Sequence, residues 1–188
     1  YLISFFTSLK SEYINGYNYI ELISRGFQLT NFILYVIGLF GVVVFLKNKK
    51  SSLVIDLGKA PEKKFSKDYQ AGLFSFEFSF SGEKIITNSG YFQDYKHQLN
   101  IISKSTATHS TLVLNNSSIV KFQRDKYGHM VVGKNFKVFN KEVSSEKNFW
   151  IIKASHDAYS RSNGVIHERK LQYFHENCIL SGCDKLIK

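Results

Sequence analysis

Phenylalanine at positions 74, 76, 78 and 80 alternates with Ser75, Glu77, Ser79 and Ser81. An extended chain turns successive side chains to opposite faces, so this order puts four rings on one side and four polar groups on the other. A helix would scatter the same rings around its circumference. The segment therefore predicts a strand with one buried face. Ser81-Gly82-Glu83 comes next, a tight-turn signal, and 84–88 can return as a partner strand, so the pair reads as a hairpin.

Further short β-type runs lie at 53–57, 110–114, 119–123, 129–132, 136–139, 149–154, 165–174 and 178–180. Turn-forming residues separate them: Asn115-Asn116, Tyr127-Gly128, Gly133 and Ser162-Asn163-Gly164. About ten short strands without a long amphipathic helix among them predict a mainly β fold, an antiparallel β-sandwich over 51–188. Hydrophobic residues at 44% and a single proline exclude a disordered or collagen-like chain. No internal repeat is visible.

The first fifty residues are different. Residues 1–26 mix Phe, Leu and Ile with Ser and Tyr at loosely helical spacing, which predicts a helical stretch. The run 27–46 carries no charge and is followed by Lys47, Lys49 and Lys50. It has about the 20 residues a membrane span needs, and the trailing lysines would leave 51–188 on the cytoplasmic side. A buried helix or a pair of core strands fits it equally well, because Gln28, Thr30 and Asn31 leave only 32–46 continuously apolar.

A net charge of +10 suits an acidic polysaccharide, an anionic membrane or nucleic acid, but also an ordinary lysine-rich surface. Nucleic acid ranks lowest, since no dense basic stripe with interleaved aromatics and no reader motif occurs. Cys178 and Cys183 form no Cys-x-x-Cys and read as free thiols. Phosphate-binding glycine loops, His-Glu-x-x-His and Gly-x-Ser-x-Gly are absent. The six histidines, at 97, 109, 129, 156, 167 and 175, include no i, i+4 pair and no His-x-His.

Two segments are distinctive. Ser105-Thr106-Ala107-Thr108-His109-Ser110-Thr111-Leu112-Val113-Leu114 is one; Ala154-Ser155-His156-Asp157-Ala158-Tyr159, followed by Gly164-Val165-Ile166-His167-Glu168-Arg169, is the other. Both closely resemble the C-terminal domain of the heparinase II/III-like polysaccharide lyases. Ser52-Leu53-Val54-Ile55-Asp56-Leu57-Gly58, 73–78, 85–90 and Ser181-Gly182-Cys183-Asp184-Lys185-Leu186 resemble that domain's successive strands in the same order. Tyr13-Ile14-Asn15-Gly16 is similar to the segment just upstream. The apolar run stands where family members have a short charged connection.

The resemblance implies a β-sandwich that packs on an α/α-toroid around a cleft for acidic, uronate-containing polysaccharide. It implies cleavage by β-elimination, with the catalytic tyrosine on the toroid, and a place in a bacterial periplasm or cell envelope. It further implies a catalytic histidine and a structural zinc site on the sandwich. Those positions fall at Asp68, Gln70, Asn88 and His109, and only His109 keeps the family residue. Two amides are poor zinc ligands, so no bound zinc is expected. No catalytic residue is assigned within this chain. His156, with Lys153 and Arg161, is the candidate for sugar binding; a strand-end hydrogen bond made by the His156-Asp157 pair is the structural alternative. The expected function is the C-terminal part of such a lyase, inactive without its toroid. The alternatives are a membrane-associated, non-catalytic module for acidic glycan, or a degraded gene product.

Overall fold

The computed structural model describes residues 13–14, 17–18, 32–38 and 41–188. The helical expectation for 1–26 lies outside the described residues except at β1 (Tyr13–Ile14) and β2 (Tyr17–Asn18), which pair antiparallel. Within the apolar run, 27–31 and 39–40 lie outside as well. The rest of it forms two antiparallel strands, β3 (Phe32–Gly38) and β4 (Gly41–Lys47), in register from Phe32 with Lys47 to Gly38 with Gly41. No helix among the described residues is long and apolar enough to cross a membrane.

The hairpin continues into a five-stranded antiparallel sheet through β5 (Ser51–Asp56), β6 (Phe76–Phe80) and β7 (Glu83–Ile86), ordered as in the sequence. The predicted β6–β7 hairpin forms, turning at Ser81 and at Gly82, whose φ is 88°. A short hairpin follows, β8 (Phe122–Arg124) with β9 (Met130–Val132). The second sheet is a four-stranded antiparallel meander of β10 (Val138–Ser145), β11 (Phe149–His156), β12 (Ile166–Phe174) and β13 (Ile179–Ile187).

Period-two patterning decides which faces meet. Val44 and Leu46 of β4, Leu53 and Ile55 of β5 and Phe78 of β6 are buried against Trp150, Ile152 and Ala154 of β11 and Leu171 and Tyr173 of β12. Each such large side chain contributes roughly 1.5–3 kcal/mol by leaving water. The Phe78 and Tyr173 rings lie 5.3 Å apart, and Ser51 Oγ shares a 2.5 Å hydrogen bond with the Tyr173 hydroxyl across the layers. Phe74, expected on the same strand face as the other rings, sits just before β6 with φ of 61° and is fully buried.

The segment 110–114, expected as a strand, is not one. Its groups are satisfied individually: Ser110 Oγ donates to Phe76 O and accepts from Phe76 N–H, and Thr111 Oγ1 donates to Leu73 O. Helix α1 (Gln98–Lys104) was not anticipated, and α2 (Ser160–Asn163) ends at Gly164, whose φ of 68° makes the turn.

β5 ends in a charge with a measurable cost. Burial pushes the Asp56 carboxyl up from 3.8 to about 6, against the hydrogen bond it accepts from Gly58 N–H and the positive charge of Lys141. Between those values the unfolded chain releases the proton that the folded chain retains, so stability falls as pH rises through the window. Asp56→Asn keeps an acceptor for Gly58. The variant should melt a few degrees above the parent at neutral pH and level with it near pH 3.8, as thermal denaturation followed by circular dichroism would show.

Candidate functional site

On β11 the even-numbered residues face inward, ending at His156; on β12 the odd-numbered ones do, beginning at His167. The register sets His156 directly opposite His167, and Arg169 opposite Asp184 of β13. Both imidazoles are 0% exposed. Ala158 N–H donates to His156 Nδ1 at 3.1 Å, His156 Nε2 lies 2.9 Å from His167 Nδ1, and His167 Nε2 lies 2.8 Å from Asp184 Oδ1. One neutral tautomer of each ring satisfies this chain: His156 Nε2–H donates to His167 Nδ1, and His167 Nε2–H donates to the carboxylate. Arg169 closes it, giving Nε–H to Asp184 Oδ1 and Nη2–H to Oδ2, both at 2.7 Å. Its Nη1 donates to Phe74 O at 2.8 Å and Ser110 O at 2.7 Å.

The electrostatics follow. Burial, then the repulsion that a second protonated imidazole at His167 would bring and the charge of Arg169, lower the His156 pKa to about 3, with Asp184 opposing. Because the unfolded imidazole takes a proton near 6.5 and the folded one resists until about 3, this residue removes stability as pH falls through that window. Burial alone would raise the Asp184 carboxyl, but the hydrogen bonds from Arg169 and His167 and the positive charge of Arg169 prevail and hold it well below the usual carboxylate range.

The structure does not bring the proposed sugar-binding residues together. Both ring nitrogens of His156 are committed inside the core, so it offers nothing to a ligand here. Lys153 lies on the opposite face of β11, 3.2 Å from Glu168. Arg161 is exposed on α2. The Asp157 carboxylate makes no hydrogen bond to His156; it accepts from Lys137 N–H at 2.6 Å, and the Asp157 carbonyl accepts from Ser160 N–H and Oγ, which fixes the β11–α2 turn.

Of the positions where the resemblance implies a zinc site, His109 lies against Gly72. A side chain at 72 would meet Ser75 Oγ at 2.9 Å and the His109 ring at 3.1 Å, so the imidazole packs closely on the glycine backbone. His109 Nε2 is buried without a hydrogen-bond partner, and burial lowers its pKa. Asn88 Oδ1 accepts from Ser110 N–H at 2.8 Å, and Asp68 Oδ1 accepts from the Tyr91 hydroxyl at 3.0 Å. One imidazole with the amides of Gln70 and Asn88 does not fit zinc, whose protein sites combine imidazole, thiolate and carboxylate. Among the described residues no three His, Cys, Asp or Glu side chains gather as ligands would.

Beside this corner two loops are tied together. The buried Lys104 ammonium donates to Lys67 O and to Met130 O at the start of β9. Asn100 Nδ2 donates to Phe92 O and to the Tyr91 hydroxyl. In the β8–β9 turn Asp125 Oδ1 accepts from Tyr127 and His129 N–H. The Tyr95 ring of the first loop thereby rests 4.6 Å from His129 of the second. Sequence reasoning did not pair these residues. The available signal was that Asp94-Tyr95-Lys96-His97 and Asp125-Lys126-Tyr127-Gly128-His129 carry the same four residue types.

By its geometry the molecule is a two-sheet antiparallel sandwich with a polar network through its core and ligand-type residues on its loops. The chain belongs to the family described as heparinase II/III-like, C-terminal, whose family model matches residues 39–188 and so begins between β3 and β4. The fold is similar to that in the crystal structure of a heparan sulfate lyase HepC mutant from Pedobacter heparinus, with TM-score 0.53 and 16% identity. The likeness covers 76% of this chain and 20% of that one, so the chain spans about a fifth of that lyase's length. No curated protein sequence matches.

Proposed function

We propose that this chain is the C-terminal sandwich of a heparinase II/III-like polysaccharide lyase and that it holds acidic, uronate-containing polysaccharide. The observation that carries the reading is family membership across 39–188. β-Elimination needs the uronate carboxylate neutralised, a base for the C5 proton and an acid for the departing 4-oxygen. His156 and His167 cannot serve, being sealed in the core, and of the sandwich positions that the resemblance implies only His109 keeps the family residue. The reacting groups therefore come from an α/α-toroid, and this chain alone does not turn over. It works without resident zinc, in the periplasm or cell envelope.

The test is to mix the chain by itself with a uronate polymer, following binding by calorimetry and product by the ultraviolet absorbance of the unsaturated uronate. Binding that weakens with salt and yields no absorbance is the expected result. Sustained absorbance from this chain alone overturns the assignment of the chemistry to a toroid.

A further inference from the structure

We propose that Tyr95, His129 and Tyr127, flanked by Lys96 and Lys126, form a subsite for an anionic sugar unit, a proposal that rests on the polysaccharide reading above. The His129 ring is in contact with both tyrosines, its centroid 4.6 Å from Tyr95 and 6.3 Å from Tyr127. Lys96 Nζ lies 5.8 Å from the Tyr95 centroid and Lys126 Nζ 4.9 Å from that of Tyr127, so each tyrosine ring has a cation beside it. Neither ammonium makes an ion pair among the described residues.

These rings are not spare core. Tyr127 is 66% exposed and Tyr95 37%, with Phe92 exposed nearby against His97. Aromatic surface left in water on two loops that are otherwise tightly bonded is surface suited to a ligand. The loops are fixed before any ligand arrives: Asp125 holds the His129 imidazole at 3.3 Å as well as its N–H, Arg124 donates to Gly128 O, and Lys104 joins β9 to the 67–68 segment. Pre-ordered groups lose little entropy on binding.

The chemistry selects the ligand class. A pyranose presents a C–H face that packs on one aromatic ring, while its carboxylate or sulfate needs a cation within hydrogen-bond reach. Tyrosine supplies a ring and a hydroxyl together. Single-stranded nucleic acid fits less well, because the tyrosine rings are tilted against His129 by 53° and 55° and give no parallel ladder for consecutive bases.

The experiment titrates the full chain with heparin and with alginate by calorimetry, using neutral dextran and oligo-dT as controls. A Tyr127→Ala/Lys126→Gln variant should lose at least tenfold in affinity for the acidic glycan, Tyr127→Phe much less, with melting temperatures unchanged. If the parent binds and the double variant binds equally well, the subsite is wrong while the polysaccharide reading stands. If the parent binds neither acidic glycan, the polysaccharide reading itself falls and the subsite with it. Oligo-dT bound as tightly as glycan, with the same loss in the variant, would overturn the sugar assignment.

Discussion

Arg169→Met lowers the stability of the sandwich by about 2–4 kcal/mol, because buried acceptors left without a donor cost about 1–3 kcal/mol each while the part-exposed Asp184 carboxylate regains water. Methionine nearly matches the aliphatic bulk of arginine, so the loss reports the guanidinium rather than a cavity. Phe74 O and Ser110 O lose their donor, and Asp184 loses two hydrogen bonds and its counter-charge. Phe74 is affected beyond its carbonyl, because a bulky residue at φ of 61° persists only where its surroundings hold it. A fall of about 10 °C in Tm follows for a chain of this size. Asp184→Asn also destabilises, by leaving the arginine charge uncompensated, and the double variant costs less than the two single losses combined. Urea melts of the four proteins measure the cycle. A loss below about 1 kcal/mol for Arg169→Met would show that the network stabilises nothing.

Leu46→Asp abolishes cooperative folding, whereas Phe45→Asp, one residue earlier, leaves a folded protein. Leu46 is fully buried on the inner face of β4, and a carboxylate there meets only hydrocarbon. Burial without a partner costs several kcal/mol, comparable to the whole stability of a domain. Phe45 points the other way, paired with the partly exposed Val54 on the outer face, where a charge can reach water. A membrane-spanning segment would make the two substitutions alike, since each puts a charge in lipid. Far-UV circular dichroism and thermal melts of the purified variants decide between these. Equal effects would count against the strand.

The legible parts of the fold are those where a local rule coincides with the tertiary outcome. The rings of Phe76, Phe78 and Phe80 announced β6, and Asn115-Asn116, both at positive φ, announced a turn. Where the fold overrides local preference the reading fails. The segment 110–114 has strand-type residues, but its serine and threonine hydroxyls take the bonds a ladder would supply. β13 extends to Ile187 although Gly182, Asp184 and Lys185 argue against a strand, because an edge strand need not be apolar. His156 and His167 looked like two isolated histidines, since only the β11–β12 register places them face to face. Tyr95 and His129 meet for a similar reason: the buried Lys104 of α1, a contact invisible to any spacing rule, holds the start of β9.

β12 is attached to the opposite layer at two separated points, through the Tyr173 hydroxyl to Ser51 and through the Arg169 guanidinium to Phe74 O and Ser110 O. Hydrocarbon contact resists separation of two sheets far more than it resists sliding, because a methyl group is nearly indifferent to which methyl it touches. A single directional bond would forbid translation yet allow the layers to swivel about it. Two such bonds oppose the swivel as well, so both shear and twist between the layers must break directional contacts before they can begin.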